Sequence, residues 1–224
     1  LLVLHRSLQY ASTFGYAVWL RPNDAWLGNG VAAKGPLATR LGLSGVPVLA
    51  ETIALSTLFE LVRDTGARVH LCRLSSAAGV ELVRRAKAEG LGVSCDVSIN
   101  QLHLIDVDIG YFNAAMRLTP PLRQQRDRDA LRAGLADGTI DSVGTDHAPH
   151  APQDKDHPFD VALPGMLGLE QALAVVIDVM VNTGRMDWPT LVERMSSAPA
   201  RIGQVAGQGR PLTIGEPATL VLVD

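Results

Sequence analysis

The densest run of potentially reactive residues is Gly144-Thr145-Asp146-His147-Ala148-Pro149-His150. It follows a short apolar run that reads as a strand, and in parallel α/β proteins catalytic groups collect at the carboxyl ends of strands. An Asp there, with His at +1 and +4, suits a metal ligand, a general base and a substrate contact. The same residues suit an Asp that caps the following turn beside two solvated histidines. Residue types alone leave both readings open. The other candidates say less. His70 reads as a packed or helix-facing side chain within an apolar strand, and His5, His103 and His157 as isolated and solvated. Lys155-Asp156 reads as a charged loop, and Trp26 as either an exposed loop anchor or a buried ring. Cys72 and Cys95 sit in apolar, strand-like stretches and read as buried free thiols rather than a disulfide scaffold.

The elements that must position these residues alternate. Residues 16–21 form a short apolar run suited to a buried strand. Residues 52–63 carry Ile53, Leu55, Leu58, Leu61 and Val62 near helical spacing, and Gly66 ends them. Residues 67–74 are again a strand. Ser75 or Ser76 caps the next helix, whose Val80, Leu82, Val83 and Ala86 face inward, and Gly90 stops it before a strand over 91–97. The unit recurs as a helix over 127–136, Gly138, and a strand over 140–145, followed by helices over 167–181 and 188–195. Strands alternating with helices of this length mean parallel βα units, hence a doubly wound sheet or a (β/α)₈ barrel. A barrel typically needs about 250 residues, so a barrel reading leaves the first strands outside this chain. Residues 206–224 read differently, as the start of a small β-sandwich element flanking a barrel over 1–205.

Composition narrows the class. In 224 residues, 47% hydrophobic and 19% charged is ordinary for a globular protein. A formal charge of −3 argues against a nucleic-acid or anionic-membrane surface. No apolar run approaches the roughly 20 residues needed to span a bilayer. The start, Leu1-Leu2-Val3-Leu4-His5, lacks the basic region and cleavage site of a signal peptide and reads as the middle of a longer protein. A cytoplasmic protein is the default expectation.

Thr145-Asp146-His147-Ala148-Pro149-His150 resembles the signature of the dihydroorotase and allantoinase branch of cyclic amidohydrolases. Further segments resemble dihydroorotases in the same order: residues 40–47 (RLGLSGVP), 119–123 (TPPLR), 134–141 (GLADGTID), 165–170 (GMLGLE) and 217–222 (PATLVL). The resemblance covers essentially the whole chain. It implies the C-terminal part of a (β/α)₈ TIM-like barrel holding one or two Zn²⁺ ions. Those ions activate water for opening or closing a cyclic amide.

The resemblance also implies ligands, and here the chain departs from it. The family's first single His matches Arg21, its second matches Arg73, and of these three positions only Asp146 keeps a ligand type. No His-x-His pair occurs in the 224 residues. A guanidinium has five donors, no acceptor and a permanent charge, so it cannot ligate zinc. Where dihydroorotases carry Thr-Pro-His-His, this chain has Ser98-Ile99-Asn100-Gln101; an expected Asn is Thr119, and an expected Phe is Pro164.

The reading is therefore a non-catalytic dihydroorotase homologue of pyrimidine biosynthesis without a cofactor, in which Asp146 is a vestige. By analogy with bacterial homologues it supports assembly of aspartate carbamoyltransferase, and self-association is open. The alternative is an active zinc enzyme whose remaining ligands lie outside these residues, with Asp146 as a ligand. A third reading keeps Arg21, Arg73 and His150 as an anion-binding set. An unpaired buried carboxylate is costly, so Arg73 or Arg21 is expected within salt-bridge reach of Asp146. Breaking such a buried pair by Asp146→Ala is expected to cost roughly 3–5 kcal/mol.

Overall fold

The computed structural model describes residues 1–223. In chain order its first elements are α1 (Leu2–Phe14), β1 (Ala17–Leu20), β2 (Ala32–Ala33), α2 (Pro36–Leu41), β3 (Gly45–Val46), α3 (Leu49–Thr65), β4 (Arg68–Leu71) and α4 (Ala77–Ala88). They are followed by β5 (Val93–Ser98), α5 (Ile99–His103), two 3₁₀ turns, α6 (Gln125–Asp137), β6 (Ser142–Gly144), α7 (Pro152–Lys155), α8 (Ala172–Val176), α9 (Trp188–Val192) and α10 (Ala198–Ile202).

Four strands make one all-parallel sheet in the order β1-β4-β5-β6, and β2 pairs with β3 separately. Register sets Trp19, His70 and Ser94 side by side, and likewise Asp96 beside Ser142 and Ser98 beside Gly144. Because side chains alternate along a strand, the two faces differ. Val69, Leu71, Val93, Cys95 and Val97 share a face and a core with Leu55, Leu58 and Val62 of α3, Val80 and Val83 of α4, and Leu131 and Leu135 of α6. Each such side chain contributes about 1.5–3 kcal/mol by leaving water. The opposite face carries His70, Ser94, Asp96 and Ser98, so the polar chemistry lies on the side away from the helices.

The amino end of α4 ties three helices together. Its cap is Ser76, whose hydroxyl accepts from the Gly79 amide. Glu51 of α3 is 3% exposed. It accepts from the amide and hydroxyl of Ser75 at 2.8 and 2.6 Å and from those of Ser76 at 3.1 and 2.5 Å. Asp127 of α6 accepts from the Ala77 amide at 3.0 Å. Two buried carboxylates thus satisfy the free amides of a helix start, where the helix dipole favours negative charge.

Several sequence expectations need correction. The helix expected over 167–181 begins only at Ala172 and passes into a π-helical turn over Ile177–Val181. The preceding backbone is committed elsewhere: the Gly168 and Leu169 amides donate to His147 Nδ1. The helix over 188–195 does not stop there but runs through a π-helical segment, Glu193–Ser197, into α10. Helix α1 was not legible because its start has no side-chain cap; its end is marked by Gly15 at φ 71°. No strand forms over 206–223, and Asp224 lies outside the described residues. No helix among the described residues is long and apolar enough to cross a membrane.

Candidate functional site

Arg21, Arg73 and Asp146 come together at the carboxyl ends of the parallel strands. Arg21 directly follows β1, Arg73 lies two residues past β4, and Asp146 two past β6. Arg73 Nη1 donates to Asp146 Oδ1 at 2.9 Å and to the Thr119 carbonyl at 3.2 Å, while its backbone amide donates to Asp96 Oδ1 at 2.8 Å. Burial raises the Asp146 carboxyl above its ordinary range, and the neighbouring Arg73 and the Ser98 hydroxyl oppose that rise. Burial, then repulsion from Arg73, lowers Arg21, with Asp146 acting the other way.

Beneath this layer His70 is 2% exposed. Its Nδ1 pairs with Ser94 Oγ at 2.8 Å and its Nε2 with Asp96 Oδ2 at 3.0 Å, while Trp19 packs on the ring at 4.4 Å between centroids. It is a packed histidine, as the sequence suggests. His147 Nδ1 accepts the Gly168 and Leu169 amides at 3.2 Å each, and His150 Nε2 donates to the Pro164 carbonyl at 3.1 Å. Both histidines of the signature thus hold residues 164–169 against the Asp146 loop; His150 does not line the cleft that Arg21 and Arg73 share.

The other singled-out residues scatter. His5 is not isolated but pairs with Asp64 at 2.6 Å, and His103 is half-buried, its imidazole lowered by desolvation. His157 is exposed, and Trp26 is 90% exposed, which resolves its two readings in favour of the loop. Cys95 is buried and Cys72 partly so, and neither is in a disulfide.

A zinc ion is poorly suited to the donors present. At the three family positions two guanidinium groups stand with one carboxylate, and one of those guanidinium groups already holds it. His70, Cys72 and Asp96 bring one ligand atom each within 4.8 Å of one another. Yet both ring nitrogens of His70 and both oxygens of Asp96 are engaged. Desolvation, with Asp96 nearby, pushes the Cys72 thiol up to about 11, so it is protonated near neutrality.

Three residues of the site went unassigned in the sequence. Arg123 is 3% exposed, donating from Nε to Ser75 Oγ at 2.8 Å and from Nη1 to the Val46 carbonyl at 3.3 Å. Glu51 lies behind Ser75, and Asp96 underlies Arg73. The available signal was a charge inside an apolar run, as in Val93-Ser94-Cys95-Asp96-Val97, because lone buried charges require partners.

No family model matches the chain. It is 44% identical over 223 residues to a dihydroorotase of Streptomyces coelicolor, covering 99% of this chain and 52% of that protein. It is 40% identical over 223 residues to a dihydroorotase-like protein of Pseudomonas aeruginosa, with 99% and 52% covered. Among solved structures, an L-hydantoinase (dihydropyrimidinase) from Arthrobacter aurescens superposes with a TM-score of 0.83 at 28% identity, covering 95% of this chain and 49% of that one. The chain spans about half the length of the curated relatives it matches.

Proposed function

Starting from the chain's place among dihydroorotase-like amidohydrolases, matched over about half of their length, we propose that it serves as a non-catalytic subunit of pyrimidine biosynthesis. Its role is to support assembly of aspartate carbamoyltransferase. One observation carries the non-catalytic part: Arg73 Nη1 sits 2.9 Å from Asp146 Oδ1, supplying positive charge at the carboxylate where the family's metal would. A guanidinium can neutralise that carboxylate but cannot lower the pKa of a bound water or polarise an amide as a Lewis acid. The partner rests on family analogy, and fold alone does not fix function.

The test has two arms on the full-length protein. Elemental analysis should find zinc well below stoichiometric, with dihydroorotase activity at background. Arg21→His with Arg73→His should not restore activity, because Ser98-Ile99-Asn100-Gln101 also departs from the family and outer partners tune metal sites. Chelator-resistant stoichiometric zinc would overturn the reading. Co-expression with the transferase of the same organism should give one complex through size exclusion, with contacts of at least about 1,000 Å². Separate elution of the two proteins, with a fully active transferase, would overturn the partner.

The competing reading is a zinc-dependent dihydroorotase. The observation favouring it is that relatives named dihydroorotase extend to nearly twice the span matched here. In that case a His-x-His pair and a carboxylate come from residues beyond this span, with Asp146 as a further ligand.

A further inference from the structure

We propose that residues 104–117 and 151–163 form a docking groove for a basic segment of a partner protein, seated by an apolar side chain. The two segments make one surface. Ile109 and Phe159 are buried in a shared small core, against which Met116 packs. Lys155 Nζ ties the walls together, donating to the Ala114 carbonyl at 3.2 Å and the Leu163 carbonyl at 2.7 Å. Between the segments lies an open groove of about 730 Å³, lined by Phe112, Ala114 and Ala115 from one and by Pro152 and Pro158 from the other.

The groove has an apolar lip that the fold leaves in water. Tyr111 is 88% exposed, and Val161 and Leu163 are exposed as well. Tyr111 stands between Gly110 and Phe112, both in left-handed backbone at φ 57° and φ 59°. That conformation is strained for a bulky residue such as Phe112, and strain of this kind collects at binding surfaces. The two rings meet edge to face at 5.0 Å between centroids. Large rings with few rotatable bonds are the usual anchors of protein interfaces.

Charge selects the occupant. The two segments carry Asp106, Asp108, Asp154, Asp156 and Asp160 against Arg117 and Lys155 alone. Lys155 is turned onto backbone carbonyls, and burial lowers the Arg117 guanidinium, with Asp160 acting the other way. Asp156 lines the groove, and both it and Asp160 are exposed. An acidic rim attracts Lys and Arg and repels nucleic acid and anionic lipid. It also repels a second copy docking through the same face, because a twofold contact sets each patch against itself. The occupant is therefore a segment of a different protein, with Lys or Arg beside an apolar residue. The inference rests on the assembly reading, which makes the transferase the protein that carries this segment.

The experiment titrates the full-length protein against the transferase of the same organism, at roughly 50 mM and 300 mM salt. The complex should weaken at least about tenfold at the higher salt. Tyr111→Ser should raise Kd about tenfold or more. Asp156→Lys with Asp160→Lys should do the same and flatten the salt dependence, whereas Trp26→Ser, on a different exposed loop, should leave Kd unchanged. Circular dichroism confirms that each variant folds. No complex with the parent protein would overturn the partner and this groove together. A complex that Tyr111→Ser and the charge reversals leave intact would overturn the groove alone. Tighter binding after charge reversal would exclude a basic occupant. Self-association of the parent that is lost in Tyr111→Ser would make a second copy the occupant and overturn the assignment too.

Discussion

Arg73 and Asp146 meet at 2.9 Å from the ends of two different strands, and both hold left-handed backbone, at φ 61° and φ 48°. Asp tolerates that conformation through its short polar side chain, but Arg has no such compensation and pays roughly 1–2 kcal/mol for it. The salt bridge therefore rests on a strained residue. Arg73→Gly removes the pair and the strain together, whereas Arg73→Ala removes only the pair. We expect Arg73→Gly to be the more stable of the two by about 1 kcal/mol, against the usual order for these residues. Denaturant midpoints of the two variants decide it; equal midpoints, or a more stable Ala variant, would show the backbone unstrained.

The loss on removing Asp146 is smaller than expected for a fully buried pair. The Arg73 side chain is 36% exposed and that of Asp146 15% exposed, so solvent screens the attraction. We expect Asp146→Asn, which keeps the left-handed tolerance, to change stability by no more than about 1 kcal/mol at neutral pH, because burial of the ionised carboxylate offsets what Arg73 contributes. A loss above roughly 3 kcal/mol would place the pair in the fully buried class.

The same carboxylate carries a pH signature. Its folded-state pKa is raised by burial, so the native chain takes up this proton more readily than the unfolded chain. Ionised Asp146 thus weighs against the native state, and the penalty fades as pH falls through the window between the unfolded and folded pKa values. Stability of the parent relative to Asp146→Asn should rise as pH is lowered through that window. A difference that stays flat or shrinks on acidification would contradict the raised pKa.

How much of this was legible from the sequence depended on whether the governing interaction was local. Leu55, Leu58, Val62 and then Gly66 at φ 63° write a helix and its end within one stretch of chain, and the structure follows. The approach of Arg73 to Asp146 was also legible, because the family resemblance puts both at ligand positions of one metal site and an unpaired buried carboxylate is costly. What could not be read was long-range. Ser75 hands the Glu51 charge to Arg123 across three separated segments. Residues 167–171 look helical by periodicity, but two of their amides are drawn onto His147, 21 and 22 residues earlier in the chain. Tertiary competition of this kind leaves no periodic trace.

The thiols should be slow. Desolvation pushes Cys72 to about 11, and Cys95 is raised further still by complete burial. Since the thiolate is the nucleophile, native protein at pH 8 should react with a disulfide reagent at least about tenfold more slowly than free cysteine. Cys72 should speed up as pH approaches 10, while Cys95 should react only on unfolding. Fast labelling of one thiol at pH 7 would show a thiolate held in the His70–Asp96 network and would reopen that cluster as a metal site.

Gly79 offers the sharpest test of how the α4 junction is built. In an ordinary helix Gly→Ala is stabilising by about 1 kcal/mol, because Ala loses less backbone entropy on folding. Gly79 lies in the first turn of α4, and a Cβ built there would fall 2.1 Å from Glu51 Oε1 and 3.2 Å from Ser76 Oγ. Glu51 cannot simply swing aside, since it is buried and accepts from both Ser75 and Ser76. Moving it would free two amides at the helix start and two hydroxyls, and would uncouple Ser75 from Arg123. Each lost hydrogen bond to a charged group is worth roughly 1.5–3 kcal/mol, which outweighs the gain in helix propensity. Gly79→Ala should therefore destabilise the protein by about 2 kcal/mol or more, as measured by chemical denaturation. Gly79→Ala combined with Glu51→Ala should cost little beyond Glu51→Ala alone, because the clash is then gone. A neutral or stabilising Gly79→Ala would mean that Glu51 does not hold the position described here.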